Sequence, residues 1–388
     1  MKTALLVVRT HIVRDPRVRR QIEWLVSDGW TVDTLGLGPK PDHRVRHHFE
    51  LSNDARDSRF RLVLLGLTHL LPFRMRFRAL SQRRIPAEAS ARIRNREYSL
   101  ILFNDIQLAP WLADTRTFPA KDPVAHVHLD IHEYFPPGLP KRTRARFLLN
   151  GYYRWGRNFI AHPLINSRSV ASTMADQYMS EFEIARPHLV RNCPPYIEQD
   201  PSPVDADHIE LIHHGVAAWR RGFREMVQAM KLTDERFSLT FMLAGNQRTI
   251  AELKDYCRDQ TDRIRFVPAV PMTSLSKEVN KYDAEVMFFP RRDGEVGFAL
   301  PNKLFEAIQG RLAVVIGPTP PMVELVEKSG NGVVTRDWTP GALADAINSL
   351  TPSRLMEMKA ASNRIAPDHT AETERAQFLS SFRDMGHN

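Results

Sequence analysis

The sequence predicts an α/β protein made of two doubly wound, Rossmann-like domains in succession. Three observations carry this. Strand-length apolar runs alternate with helix-period stretches from the first residues, a Pro- and Asp-rich segment interrupts the series, and a second alternating series follows it. A chain of 388 residues suits two ordinary domains, each large enough to bury its own core.

The first element is a buried strand over residues 3–8. Asp15-Pro16 then caps a helix, with proline in its first turn, and Val18, Ile22, Leu25 and Val26 recur at helical spacing until Gly29 ends the run. Further strands are expected at 31–35, 100–103, 124–130 and 164–166, followed by a helix over 169–179. Pro194-Pro195 and Asp200-Pro201-Ser202-Pro203 mark a linker, set at 193–207. Beyond it, strands at 209–213, 239–244, 264–267, 286–289 and 312–316 alternate with helical stretches. The domains are therefore 1–192 and 208–365, with 366–388 expected as a C-terminal helix packing back toward the first domain. Ligands of such sheets bind outside the carboxyl ends of the strands, so the active site is expected in a cleft between the two facing domains.

Lys and Arg number 54 against 45 Asp and Glu, a net charge of +9 that attracts phosphate on nucleic acid, anionic lipid or a small substrate. The arginines lack the interleaved aromatic platform of a nucleic-acid reader, so no nucleic-acid partner is expected. Cys193 and Cys257 are too few for a disulfide framework and point to a reducing compartment. The opening Met1-Lys2, with a short apolar run before Arg9, does not read as a secretory signal, and a cytoplasmic location follows as the expectation. The longest apolar tract, residues 62–71, is about half the length of a membrane-spanning helix. Arginines flank it, from Arg59 and Arg61 through Arg74, Arg76 and Arg78 to Arg96. Two readings stand for this region: a surface that lies on an anionic membrane, or an amphipathic helix packed on the domain with a solvated basic face.

The most informative stretch runs from Asp293-Gly294-Glu295 through Gly297-Phe298-Ala299-Leu300 to Pro301-Asn302-Lys303-Leu304-Phe305-Glu306. It leaves a strand, passes through a glycine-containing loop and enters a helix at Pro301, where the missing donor costs nothing. Free amides and the helix dipole at that end form an anion site, to which Lys303 adds a charge and Asn302 an amide. Glu306 lies one turn below them, placed to accept from two ribose hydroxyls. The alternative is a capped amphipathic helix with a solvated Lys and Glu.

Residues 299–307, followed by Gly310 and the apolar run 313–316, resemble the donor-site signature of retaining glycosyltransferases of family 4, which have the two-domain GT-B fold. The stretch 211–230, with Gly215 after a strand and Arg221-Gly222 opening a helix, is similar to that family's first phosphate-binding element. Asp15-Pro16-Arg17-Val18-Arg19-Arg20 with Gly29, the tetrad Asp130-Ile131-His132-Glu133, and Asn166-Ser167 resemble its N-terminal domain. The likeness covers most of the chain and is weakest over 42–99.

The resemblance implies a hexosyltransferase-type enzyme of polysaccharide biosynthesis. It would move a sugar from a nucleotide-diphosphate sugar to a glycan or lipid-linked acceptor, with retention of anomeric configuration and with neither cofactor nor metal. It implies that Arg221 and Lys303 neutralise the diphosphate, with Gly215, Arg220, Asn302 and the amides near Leu300 around it, and that Glu306 holds the ribose. The family pairs two glutamates with seven residues between them. Phe298 stands at the first of these positions, leaving Glu295 or Asp293 to substitute, and Val216 stands where an arginine is usual. Acceptor contacts are implied for His11, Arg14, Asp130 and Glu133.

His126, His128, Asp130 and His132 alternate along one strand face and admit three readings. These are a metal site, for which the last spacing is one residue too long, a strand end whose imidazoles satisfy neighbouring groups, or, as the tetrad implies, a catalytic His132 that bonds the transferring sugar or its acceptor. Two rivals to transfer are a GT-B-fold epimerase or phosphorylase acting on sugar phosphates, and a non-catalytic protein that binds nucleotide or nucleic acid.

Overall fold

The computed structural model describes residues 2–52, 67–122, 124–139, 143, 146–258, 260–290, 297–298 and 300–382. The chain forms two compact units, Met1–Arg191 with Arg375–Asn388, and Asn192–Glu374.

Among the described residues of the first unit, β1 (Thr3–His11), β2 (Thr31–Leu37), β3 (His48–Glu50), β4 (Leu100–Asn104), β5 (His126–Ile131), β6 (Ser167–Val170) and β7 (His188–Leu189) make one parallel sheet in the order β3-β2-β1-β4-β5-β6-β7. The strand order reverses beside β1, as doubly wound sheets require. Residues 4–8 of β1 and all of β4 are buried, which is why both read as unbroken apolar runs. The helix Pro16–Ser27 starts where expected: Val18 N donates to Asp15 Oδ1 at 3.2 Å, and proline occupies the first turn. Past its end Gly29 takes a left-handed φ of +80°, letting Trp30 N bond back to Leu25 O at 3.0 Å.

Two expected elements shift. The strand placed at 164–166 is β6, and the helix placed at 169–179 is Ala175–Phe182. Ser167 and Ser169 stay extended because their hydroxyls are needed across the sheet, where they bond His126 at 2.7 Å and His128 at 2.8 Å from both its ring nitrogens. The edge strands β3 and β7 are three and two residues long, too short to display alternation.

The segment read as a linker is instead a packed strap of the second unit. Cys193 is buried, Ile197 N donates to Gln309 Oε1 at 3.2 Å, Gln199 Nε2 donates to Gln309 O at 2.6 Å, and Ser202 Oγ donates to Asn280 O at 2.6 Å. The second unit also runs past 365, since Gln309 Nε2 donates to Ala366 O at 2.6 Å and Ala371 N donates to Pro194 O at 2.8 Å. Only from Arg375 does the chain rejoin the first unit. There Phe378 packs 5.4 Å from Trp24, and Phe382 packs 5.7 Å from His128.

The second unit repeats the architecture. Its described strands β8 (Ile209–Val216), β9 (Phe237–Ala244), β10 (Ile264–Pro268), β11 (Ala284–Met287), β12 (Ala313–Ile316) and β13 (Gly332–Val334) are parallel, in the order β10-β9-β8-β11-β12-β13. The order reverses between β8 and β11. Among the described residues no helix is long and apolar enough to cross a membrane.

One buried ion pair ties the first unit together. Arg17 donates from Nε and Nη2 to the two oxygens of Asp130, each at 2.6 Å, and from Nη1 to Val190 O at 2.6 Å. Gln21 Nε2 and Ser169 Oγ donate to the same carboxylate at 2.6 and 2.5 Å. Burial opposes the charge of Asp130, but Arg17 outweighs it and holds the carboxyl well below the usual range. Asp130→Ala strands Arg17 in the interior. It is expected to lower the unfolding free energy by about 3–5 kcal/mol, read from the urea midpoint at unchanged slope.

Candidate functional site

At the reversal point of the second sheet, β8 ends at Gly215-Val216 and the helix Asn302–Gln309 begins beside it. This helix is buried from Lys303 through Gln309, so the solvated amphipathic alternative does not hold. Lys303 is 4% exposed, and its position is set by β8. Its Nζ donates to His214 O and to His213 Nε2, the latter at 3.1 Å. His213 Nδ1 lies 2.7 Å from Val286 O and must donate to that carbonyl, which leaves Nε2 as the acceptor that Lys303 needs. Burial, helped by the charge of Lys303, pushes His213 well below its usual pKa, in keeping with a neutral ring. Gly215 has φ +118°, and a Cβ there would stand 3.4 Å from Lys303 Nζ, so glycine serves both the turn and the close approach.

The next residue carries the opposite arrangement. His214 Nδ1 is 2.8 Å from Glu285 Oε2, and Nε2 is 2.9 Å from Glu306 Oε2. With a carboxyl oxygen on each ring nitrogen, both nitrogens donate and the ring is an imidazolium. Burial works against that charge, and the two glutamates outweigh it, raising the pKa to about 9. Glu306 is thereby clamped by one oxygen, while no hydrogen bond from a described residue reaches its Oε1. Lys303 is driven the other way, to about 8, chiefly by burial and also by Arg221.

The charges of this cluster nearly cancel, two glutamates against His214 and Lys303. Arg221 remains over. It ends the short helix Trp219–Arg221, and its guanidinium lies 5.7 Å from the Phe289 ring, whose centroid is 5.4 Å from Lys303 Nζ. Its Nε is buried without a hydrogen-bond partner, and burial and the Arg220 charge lower its pKa. Gly222 follows at φ +75°, where a Cβ would stand 2.0 Å from Phe288 O; only glycine lets the arginine turn close on β11. Among the described residues no carboxylate pairs with Arg221, and a cation beside a lysine at the carboxyl end of a parallel sheet has the character that anion binding requires.

Of the other expected donor residues, Arg220 is exposed in the same turn, Asn302 opens the helix, and Leu300 packs on the core just before it. Glu295 and Asp293 lie outside the described residues. His213, His214, Glu285 and Phe289 escaped the sequence reading. A glutamate inside the strand-length run 284–289 was the available signal, since a carboxylate there must find a partner.

In the first unit, His132 follows the end of β5. Its Nε2 lies 3.1 Å from Asp130 Oδ2 and 3.0 Å from Asn104 Oδ1, and its backbone N donates to Asp105 Oδ1 at 2.8 Å. Burial disfavours its charge, but Asp105 and Asp130 prevail and the pKa is raised. Asp130 was expected to touch an acceptor. It is fully buried and committed to Arg17, so its part is to hold His132. His126 and His128 are bound by serines and pushed down by burial to about 4 and about 3. Among the described residues no cluster of metal-ligating side chains forms. His11, Arg14 and Glu133 are exposed.

Residues 209–352 match the family described as Glycosyl transferases group 1. No curated protein matches the sequence. Among solved structures, the chain is similar to a glycosyltransferase from Rickettsia africae ESF-5, with a TM-score of 0.68 at 12% identity over 100% of this chain and 99% of that one. A sucrose-phosphate synthase from Thermosynechococcus elongatus gives a TM-score of 0.67 at 15% identity, over 99% of both chains. Anabaena HepE in complex with UDP gives 0.67 at 14% identity, over 98% of this chain and 99% of that one. Similarity at this level of identity establishes the fold. The chain is a GT-B-fold protein whose second unit carries the sequence signature of the group 1 glycosyl transferases.

Proposed function

We propose that the chain is a glycosyltransferase that takes its sugar from a nucleotide-diphosphate donor seated in the second unit. The observation that carries this is the unanswered Arg221 beside Lys303, with Glu306 clamped one turn further along the helix. Arg221, Lys303 and the amides at the helix start meet the diphosphate, and the unbonded Oε1 of Glu306 receives the ribose hydroxyls. The structural relative HepE is bound to UDP, and to UDP and glucose, which supports a nucleoside diphosphate sugar and makes uridine the first base to test.

Transfer requires a leaving diphosphate stabilised while positive charge grows at the anomeric carbon, so preorganised cations at the phosphates carry most of the catalysis. Arg221 and Lys303 supply them. The donor motif supports retention of configuration, with a phosphate oxygen taking the acceptor proton. His132, held by Asp130, is the side chain of the first unit assigned to the sugar or acceptor. The basic, partly apolar region before Arg96 supports a lipid-linked acceptor of a cell-envelope glycan and an enzyme peripheral to the inner face of the membrane.

Incubation with a radiolabelled UDP-sugar and lipid extract should move label into the lipid phase, and NMR of the product should show the donor's anomeric configuration. Label recovered only as an epimer or a sugar phosphate would replace transfer by epimerisation or phosphorolysis. Arg221→Ala is expected to weaken UDP binding about tenfold or more, the worth of one charge-assisted hydrogen bond, with little change in melting temperature. Lys303 loses its charge as pH rises through about 8. UDP binding, measured by calorimetry, should therefore weaken several-fold between about pH 7 and pH 9, where the terminal phosphate no longer titrates. Lys303→Met should flatten that profile.

A further inference from the structure

The helix Phe73–Leu80 in the first unit carries a buried cation that no described residue answers. Its sequence places Arg74 and Arg78 in solvent and turns Arg76 inward, where it is 1% exposed. The Arg76 guanidinium lies 4.7 Å from the Tyr152 ring, and its Nε and Nη1 have no hydrogen-bond partner. Other buried arginines of this unit are matched by acids: Arg17 holds Asp130, and Arg157 holds Glu181. A guanidinium withdrawn from water without hydrogen bonds or a counter-charge is costly, and its retention is explained by a ligand that completes it.

The surroundings define that ligand. Tyr152 stacks on Trp155 at 5.6 Å, Phe73 stands 6.0 Å from Tyr152, and Phe77 stands 6.3 Å from Trp155. The Phe73 ring lies over Gly151, where a Cβ would come within 3.2 Å of it. The open N–H donors of the Arg76 guanidinium match the oxygens of a phosphoryl group. Leu70, Met75 and Phe73 are exposed beside Arg76 in the chain, Leu70 by 90%.

We propose that Arg76 and the Tyr152 face seat a phosphoryl group, a phosphate or diphosphate, borne on a molecule whose remainder is apolar. This seat is separate from the one formed by Arg221 and Lys303 in the second unit. It rests on the reading of the acceptor as an amphiphile, yet it is a statement about binding and is tested without transfer.

The test uses the full chain saturated with UDP, so that the donor seat is filled, and titrates inorganic pyrophosphate, farnesyl diphosphate and phosphatidylglycerol vesicles against wild type, Arg76→Lys and Arg76→Gln. Farnesyl diphosphate should saturate wild type, bind at least tenfold more weakly to Arg76→Gln, and fall between for Arg76→Lys. Because Arg76 makes no ion pair with a described residue and its Nε and Nη1 have no hydrogen-bond partner, Arg76→Gln should melt no lower than wild type in the absence of ligand. Pyrophosphate binding as tightly as farnesyl diphosphate, with the same loss in Arg76→Gln, keeps the phosphoryl seat and assigns it to a soluble phosphate compound. The proposal is overturned if Arg76→Gln melts several degrees lower while binding both probes as wild type does. It is equally overturned if wild type binds none of the three probes, or if it binds only the vesicles and Arg76→Gln binds them as tightly.

Discussion

Lys303 is anchored by two acceptors at the end of β8, and the ligand-facing edge of the second unit is arranged around that anchoring. A primary amine this deeply buried needs acceptors in fixed directions. The parallel sheet provides them where its strand order reverses, one as the His214 carbonyl and one as the His213 ring, whose tautomer is set in turn by Val286 O. The requirement propagates. Gly215 turns the chain at a φ of +118° that favours glycine, and Glu285 and Glu306 hold His214 charged next to the lysine. A buried polar network of this kind is stable only if its members are satisfied. What it leaves without a hydrogen bond from a described residue, Arg221 Nε and one oxygen of Glu306, is what the proposed donor reading uses.

The first unit obeys the same electrostatic rule with different residues. Arg17 and Asp130 are 113 positions apart in sequence and meet as a bidentate pair in the interior. The pair closes the strand that ends just before His132 against the helix that opens with Asp15-Pro16. Its consequence for chemistry is indirect: one Asp130 oxygen also accepts from His132, so the ring is oriented by the same carboxylate that stabilises the fold. Arg76 departs from that rule: it is buried with no carboxylate of the described residues beside it.

The polar groups show how far sequence reasoning carried. The strands with unbroken apolar runs, the cap at Asp15 and the helix start at Pro301 were legible, because each rests on local periodicity or on the backbone chemistry of one or two residues. The motif around Lys303 was legible through its resemblance to a family. The partners of these residues were not. Glu285 and His213 sit in strands whose pattern says only that they are buried, and nothing local tells a buried glutamate which imidazole it will meet. The Pro-rich stretch before Asp207 misled for a related reason: prolines report an extended backbone, and an extended strap packed on Gln309 has the same composition as a free linker.

The sequence by itself determined two doubly wound α/β domains and the helix that starts after Pro301, since these follow from short-range periodicity and helix-end chemistry. Only the tertiary structure decided that Asp130 is internal, that His214 is an imidazolium between two carboxyl groups, and that Arg221 Nε and Arg76 Nε and Nη1 lack hydrogen-bond partners. The reason is physical: the protonation state and availability of a side chain depend on the charges brought within a few ångströms of it and on the water removed. Both are set by strands and helices far apart in the chain.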